Sequence, residues 1–188
     1  MDGRLSLLEA RAAYFLEQRM PADGGYAARW VKLQAGPVRF AFPNSDARRR
    51  AVRFHDLHHL LTGYQTSWRG EAEIGAWEIA SGCRDHWAAW FLNLQVFALG
   101  LVIAPRASFR AFVRGRRSRN LYDAVYDDAL LARPVAAVRA ELGLDANPPR
   151  PATPTERLCF LLWGGAALGL ALAPLALLVA AVSTLAGA

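Results

Sequence analysis

All four histidines of this 188-residue chain, His55, His58, His59 and His86, fall in one short stretch, three of them inside His55-Asp56-Leu57-His58-His59. On a helix, residues four apart share a face, so His55 and His59 project their imidazoles side by side and can bind one cation. A carboxylate is the natural third ligand. Glu71, preceded by a Gly70 that can turn the chain, is placed to fold back from a second helix and supply it. Asp56 lies about 100° around a regular helix from His55, so spacing alone lets it join only through a distorted turn or a bridging water. His58 leaves a second register open, with His55 and His58 at i, i+3 as the pair. The plain alternative is a packed or solvated histidine pair, and the nearby Asp56, Glu71 and Glu73 weigh against it. Nitrogen and oxygen donors favour zinc, with iron next.

Three enzyme classes share parts of this pattern. HDLHH resembles the HxxHH box of membrane desaturases and hydroxylases, but those enzymes use several such boxes and four histidines cannot fill them. The HD phosphohydrolases need an earlier histidine, and none precedes His55. The third class fits. HDLHHLLTGYQTSWRGE, read as His55-Asp56-x-x-His59, eleven residues and Glu71, is similar in each specified position to the signature of the coenzyme Q biosynthesis protein 4 family. EAEIGAWEIASG resembles the helix after the family's glutamate, and VAAVRAELGL at 135–144 its closing helix, so the resemblance covers about residues 20–145.

The resemblance implies a mostly α-helical fold and a divalent metal, usually zinc, held by His55, Asp56, His59 and Glu71. It also implies a bound polyprenyl tail and work at a membrane surface on ubiquinone precursors. The expected activity is removal, simple or oxidative, of the ring carboxylate from a polyprenylated hydroxybenzoate-type acid, which makes the protein a metal-dependent decarboxylase, a lyase. Other ubiquinone-biosynthesis enzymes are expected partners. The same motif suits a non-catalytic prenyl-lipid-binding organiser of such a complex. In the enzymatic reading His58 or Asp56 relays the proton, the prenyl tail lies among Trp87, Trp90, Phe91, Phe97 and Leu101, and Arg69 is either a partner for the substrate carboxylate or a solvated loop arginine. Ordinary core packing is the alternative for the aromatic residues.

The elements that must position these groups read as helices. Leu5, Leu8, Ala12, Phe15 and Leu16 recur at helical spacing, and Pro43-Asn44-Ser45-Asp46 is a turn leading into a helix over about 46–62 that Gly63 stops. A further helix covers 71–80, residues 30–42 follow a shorter-ranged pattern, and 121–142 is helical in composition with a break near Pro134. The expected fold class is all-α: a compact multi-helix domain over 1–145 with the metal between two consecutive helices, a proline-rich linker over 146–157 and a transmembrane tail over 158–188.

That tail is the strongest physical signal, because 158–188 holds no charged residue and exceeds the ~20 residues a helix needs to cross a bilayer core. Pro174 invites a kink, and Gly165 and Gly169 form a GxxxG that can support a homo-oligomer. Residues 87–105 are also uncharged, yet arginines crowd both flanks, so a buried or interfacial helix is expected there rather than a crossing. The formal charge of +6 is carried almost wholly by arginine. With no recognisable nucleic-acid-binding signature beside it, anionic lipid is the expected partner and nucleic acid is not. Asp2, Glu9 and Glu17 break the first apolar run against a leader peptide. Arg150 and Arg157 precede the tail and none follows, which places the domain on the cytoplasmic face of a bacterial inner membrane.

Overall fold

The computed structural model of the chain describes residues 3–35, 38–145 and 150–186. It is mostly helical, as expected, with eight helices and one two-stranded hairpin among the described residues. The chain divides into two compact units, one of 1–63, 84–89 and 120–146, the other of 64–83, 90–119 and 147–188.

In the first unit, α1 (Leu7–Glu17) starts at Ser6, whose side chain accepts the Glu9 amide while Glu9 reaches back, a capping box that satisfies two otherwise orphaned donors. The segment before it is tied across the chain: the Leu7 amide donates to the Arg133 carbonyl and the Val135 amide to the Leu5 carbonyl, both at 2.9 Å. Strands β1 (Trp30–Ala35) and β2 (Val38–Pro43) pair antiparallel, with Trp30 opposite Pro43. The short-ranged pattern over 30–42 therefore belongs to two paired strands, the one departure from helix among the elements of the described residues. α2 (Asp46–Thr62) is capped by Ser45 and ends at Gly63, which takes the left-handed conformation (φ 78°) and donates to the His59 carbonyl.

Only two short helices occupy the stretch 121–142, α6 (Asp128–Leu131) and α7 (Val135–Glu141), because Asp127 caps the first and Pro134 restarts the chain at the second. α1 packs on α2 and α6, and α2 on α7, around Leu7, Phe15, Leu57, Leu61 and Val138. Arg139 of α7 donates to the Leu61 carbonyl, satisfying one of the acceptors left open at the C-terminal end of α2.

In the second unit, α3 (Trp68–Ser81) packs on α5 (Pro105–Arg116) so closely that a Cβ on Gly115 would lie 2.4 Å from the Trp77 carbonyl oxygen. Trp77 is wholly buried, and its indole N–H donates to Ser118 Oγ at 2.9 Å, which removes the cost of burying that donor. α4 (Trp87–Ile103) contributes Phe97, fully buried and packed on Phe112 and Phe160 with ring centroids 5.9 and 5.6 Å away. The Asn93 side-chain amide donates to the buried Glu78 carboxylate.

The last helix, α8 (Pro154–Ala186), starts ahead of the uncharged run. Thr153 and Glu156 form its capping box, with Pro154 at the first helical position. Glu156 is also gripped by Arg117 through two bonds of 2.6 and 2.7 Å. Residues 146–149 of the expected linker lie outside the described residues. At ~1.5 Å per residue, 33 residues extend about 50 Å, and the stretch Pro154–Pro174 is long and apolar enough to cross a membrane. Cβ atoms on Gly165 and Gly169 would meet nothing within 4 Å.

Candidate metal centre

His55 and His59 sit one turn apart on α2, and their Nε2 atoms lie 3.2 Å from each other. Glu71, in the first turn of α3, offers a carboxylate oxygen such that all three ligand atoms fall within 4.8 Å of one another. A tetrahedral ion with Zn–N bonds of ~2.0–2.1 Å separates two imidazole nitrogens by about 3.3 Å, close to the spacing present. Two neutral imidazoles could share a proton at that distance. A carboxylate converging on both is what a cation requires, so the donor set fits a divalent metal.

Local sequence explains the placement. α2 runs uninterrupted from its Ser45 cap to the Gly63 stop, so both histidines keep helical phase. Ser67 then caps α3, accepting the Gly70 amide at 3.2 Å, while the Glu71 amide donates to the Ser67 carbonyl at 2.8 Å. A Cβ on Gly70 would stand 1.9 Å from the Gln65 carbonyl oxygen. Gly70 is needed, then, for the close approach of the Gln65 backbone to the first turn of α3. The Tyr14 ring stacks on His59 with centroids 6.0 Å apart.

Asp56 takes a different direction from the two histidines and lies outside that group of three. Its carboxylate is buried and accepts the Tyr26 hydroxyl at 2.5 Å. Burial raises the Asp56 carboxyl above the ordinary carboxylate range, while the Tyr26 bond and the charges of His55, His59 and Arg48 pull it back. Burial and the adjacent Asp56 also push the Tyr26 phenol upward, which keeps it a neutral donor. The Asn44 side chain clips the Tyr26 turn by donating to the carbonyls of Tyr26 and Ala28 at 3.2 and 2.8 Å, and accepts Arg48 Nη1 at 3.0 Å.

His58 is fully buried, and its Nε2 accepts the Leu121 amide at 3.0 Å. That lone pair ties the 120s segment to α2. Arg69 lies on α3, where its Nε is 3.6 Å from Glu73. Of the apolar positions, Phe97 belongs to the aromatic core of its unit, and Trp90 stacks on Trp163 at 5.1 Å. Leu101 lies beside Gly164, whereas Trp87 and Phe91 remain largely exposed. Sequence reading missed Tyr26, Tyr14, Asn44 and Arg48. Tyr26 reaches Asp56 from 30 positions away, and no local spacing signals such a contact.

Comparison of the chain with protein-family models, with curated proteins and with solved structures finds no match.

Proposed function

We propose that the chain is a membrane-anchored, metal-dependent protein of quinone biosynthesis that removes the ring carboxylate of a polyprenylated hydroxybenzoate-type acid. The observation that supports this most is the convergence of His55, His59 and Glu71, which unites the ends of the motif resembling the coenzyme Q biosynthesis protein 4 family. A bound divalent ion, zinc first by donor chemistry, would supply a Lewis acid for a carboxylate or a water.

The chain's own residues do the rest. His55 and His59 present their nitrogens from one helix face. Asp56, which follows His55 in the chain and whose carboxylate is held by the Tyr26 hydroxyl, is the proton relay in this reading. His58 serves that role less well, since its Nε2 already accepts a backbone amide.

The lipid reading rests on α8 and on α5. Arg106 and Arg110 stand exposed one turn apart while Ala107, Ala111 and Phe112 are buried, a division that suits an anionic membrane surface. The domain then faces the cytoplasm, with partner enzymes of the same pathway at the membrane.

The test is turnover of a prenylated hydroxybenzoate by full-length protein in detergent, with and without chelator, alongside Glu71→Gln. Carbon dioxide release that requires both metal and Glu71 supports the enzyme. Tight prenyl-lipid binding without turnover replaces it with the organiser. Neither binding nor turnover removes the assignment.

A further inference from the structure

His86, like His58, lies outside the group of metal-ligating side chains. It lines a cleft of about 490 Å³ in the first unit, together with Arg50, Arg53, Phe54, Tyr122 and Tyr126. That volume lies within the ~300–1,000 Å³ of small-molecule sites. The floor is aromatic: the Phe54 ring meets His86, Tyr122 and Tyr126 edge-on at 5.4, 5.9 and 5.3 Å.

One wall is cationic. Arg50 and Arg53 are three apart on α2, and both are exposed. Among the described residues Arg50 has no carboxylate partner, and Arg53 is held by rings instead, with its guanidinium 5.6 Å from the Tyr26 centroid and 5.7 Å from that of Tyr126. Stacking of this kind orients the planar fork while leaving its N–H donors to an incoming group. The carboxylates at the mouth do not neutralise the pair, because Asp123 is taken by Arg84 at 2.7 Å and Asp85 stands 3.8 Å from His86 Nε2.

We infer that this cleft is a second ligand site, separate from the metal centre, for a small planar aromatic anion. The ring lies against Phe54, Tyr122 and Tyr126, and a carboxylate or phosphate group is met by Arg50 and Arg53.

The experiment is equilibrium binding of 1-naphthoate, 1-naphthyl phosphate, neutral 1-naphthamide and inorganic phosphate to full-length, detergent-solubilised protein. The same panel is run on Arg50→Gln/Arg53→Gln and on Glu71→Gln, with thermal melting to verify folding. Both aromatic anions should bind at least tenfold tighter than naphthamide and inorganic phosphate. The double arginine variant, altered only at exposed positions, should lose at least tenfold, and Glu71→Gln should bind as the unaltered chain does. Unchanged affinity in the arginine variant overturns the site. So does equal binding of inorganic phosphate, which dispenses with the ring, or loss of binding in Glu71→Gln, which places the anion on the metal. Because the Glu71→Gln readout is separate, failure of the cleft leaves the metal reading standing, and the reverse also holds.

Discussion

Replacing Gly70 with alanine puts one methyl group where the Gln65 backbone already is. The new Cβ would stand 1.9 Å from the Gln65 carbonyl oxygen and 2.6 Å from its carbonyl carbon. Ordinary carbon contacts begin near ~3.5 Å, so the turn before α3 must retreat by about 1.5 Å. Backbone cannot rotate away as a side-chain tip can. Overpacking of this sort costs about 1–3 kcal/mol, and at ~2–4 °C per kcal/mol for a chain of this size the melting temperature should fall by about 2–12 °C.

The larger consequence is at the metal. Ligand distances must hold to within ~0.2 Å, and Glu71 is the next residue, so a displacement many times that tolerance should weaken binding by at least ~10-fold. Gly63→Ala is the control. That glycine has φ 78° with nothing within 4 Å of its would-be Cβ, so the change imposes about 1–2 kcal/mol of left-handed strain without a clash. Metal titration followed by competition with a chromogenic chelator, beside thermal melts of both variants, reads the two effects separately. If Gly70→Ala keeps full affinity while Gly63→Ala loses it, the close approach of Gln65 does not position Glu71 and the account of the loop is wrong.

Tyr26→Phe removes the hydroxyl donated to buried Asp56 and should cost about 1–3 kcal/mol by calorimetry while metal content persists; a neutral result means that Asp56 is satisfied otherwise. In metal-free protein the folded Asp56 carboxyl holds its proton to higher pH than the unfolded chain does. The folded state therefore binds more protons above the ordinary value near ~4, and this contribution is present below that value and lost as pH rises through the folded one. Asp56→Asn should flatten the corresponding fall in melting temperature, and an unchanged profile discards the assignment. Full-length protein should resist alkaline extraction from membranes. A chain lacking 165–188, which retains the Phe160 and Trp163 contacts, should become extractable, with residual binding that weakens as salt screens Arg106 and Arg110. Full-length protein released by alkali refutes a spanning α8.

Much of the scaffold is legible in the chain because its signals are local. Ser45 and Gly63 bound α2 as read, since a cap and a left-handed stop act within one turn. The 3.6-residue period alone puts His55 and His59 on one face, and the uncharged run alone marks the apolar helix at the end. The hairpin at 30–43 was not foreseen, because its evidence is pairing between strands rather than a period in either. Nor did spacing separate the roles of His55, Asp56, His58 and His59. His55 and His59 share a face while Asp56 and His58 point elsewhere, and what each of the last three meets depends on residues far off in the chain: Tyr14 for His59, Tyr26 for Asp56, the Leu121 amide for His58. Likewise the uncharged character of 87–105 says that it avoids water but not what covers it. Phe97 became core, and Phe91 remained exposed, because burial is set by which neighbours arrive on each face, and that is decided only when the chain is folded.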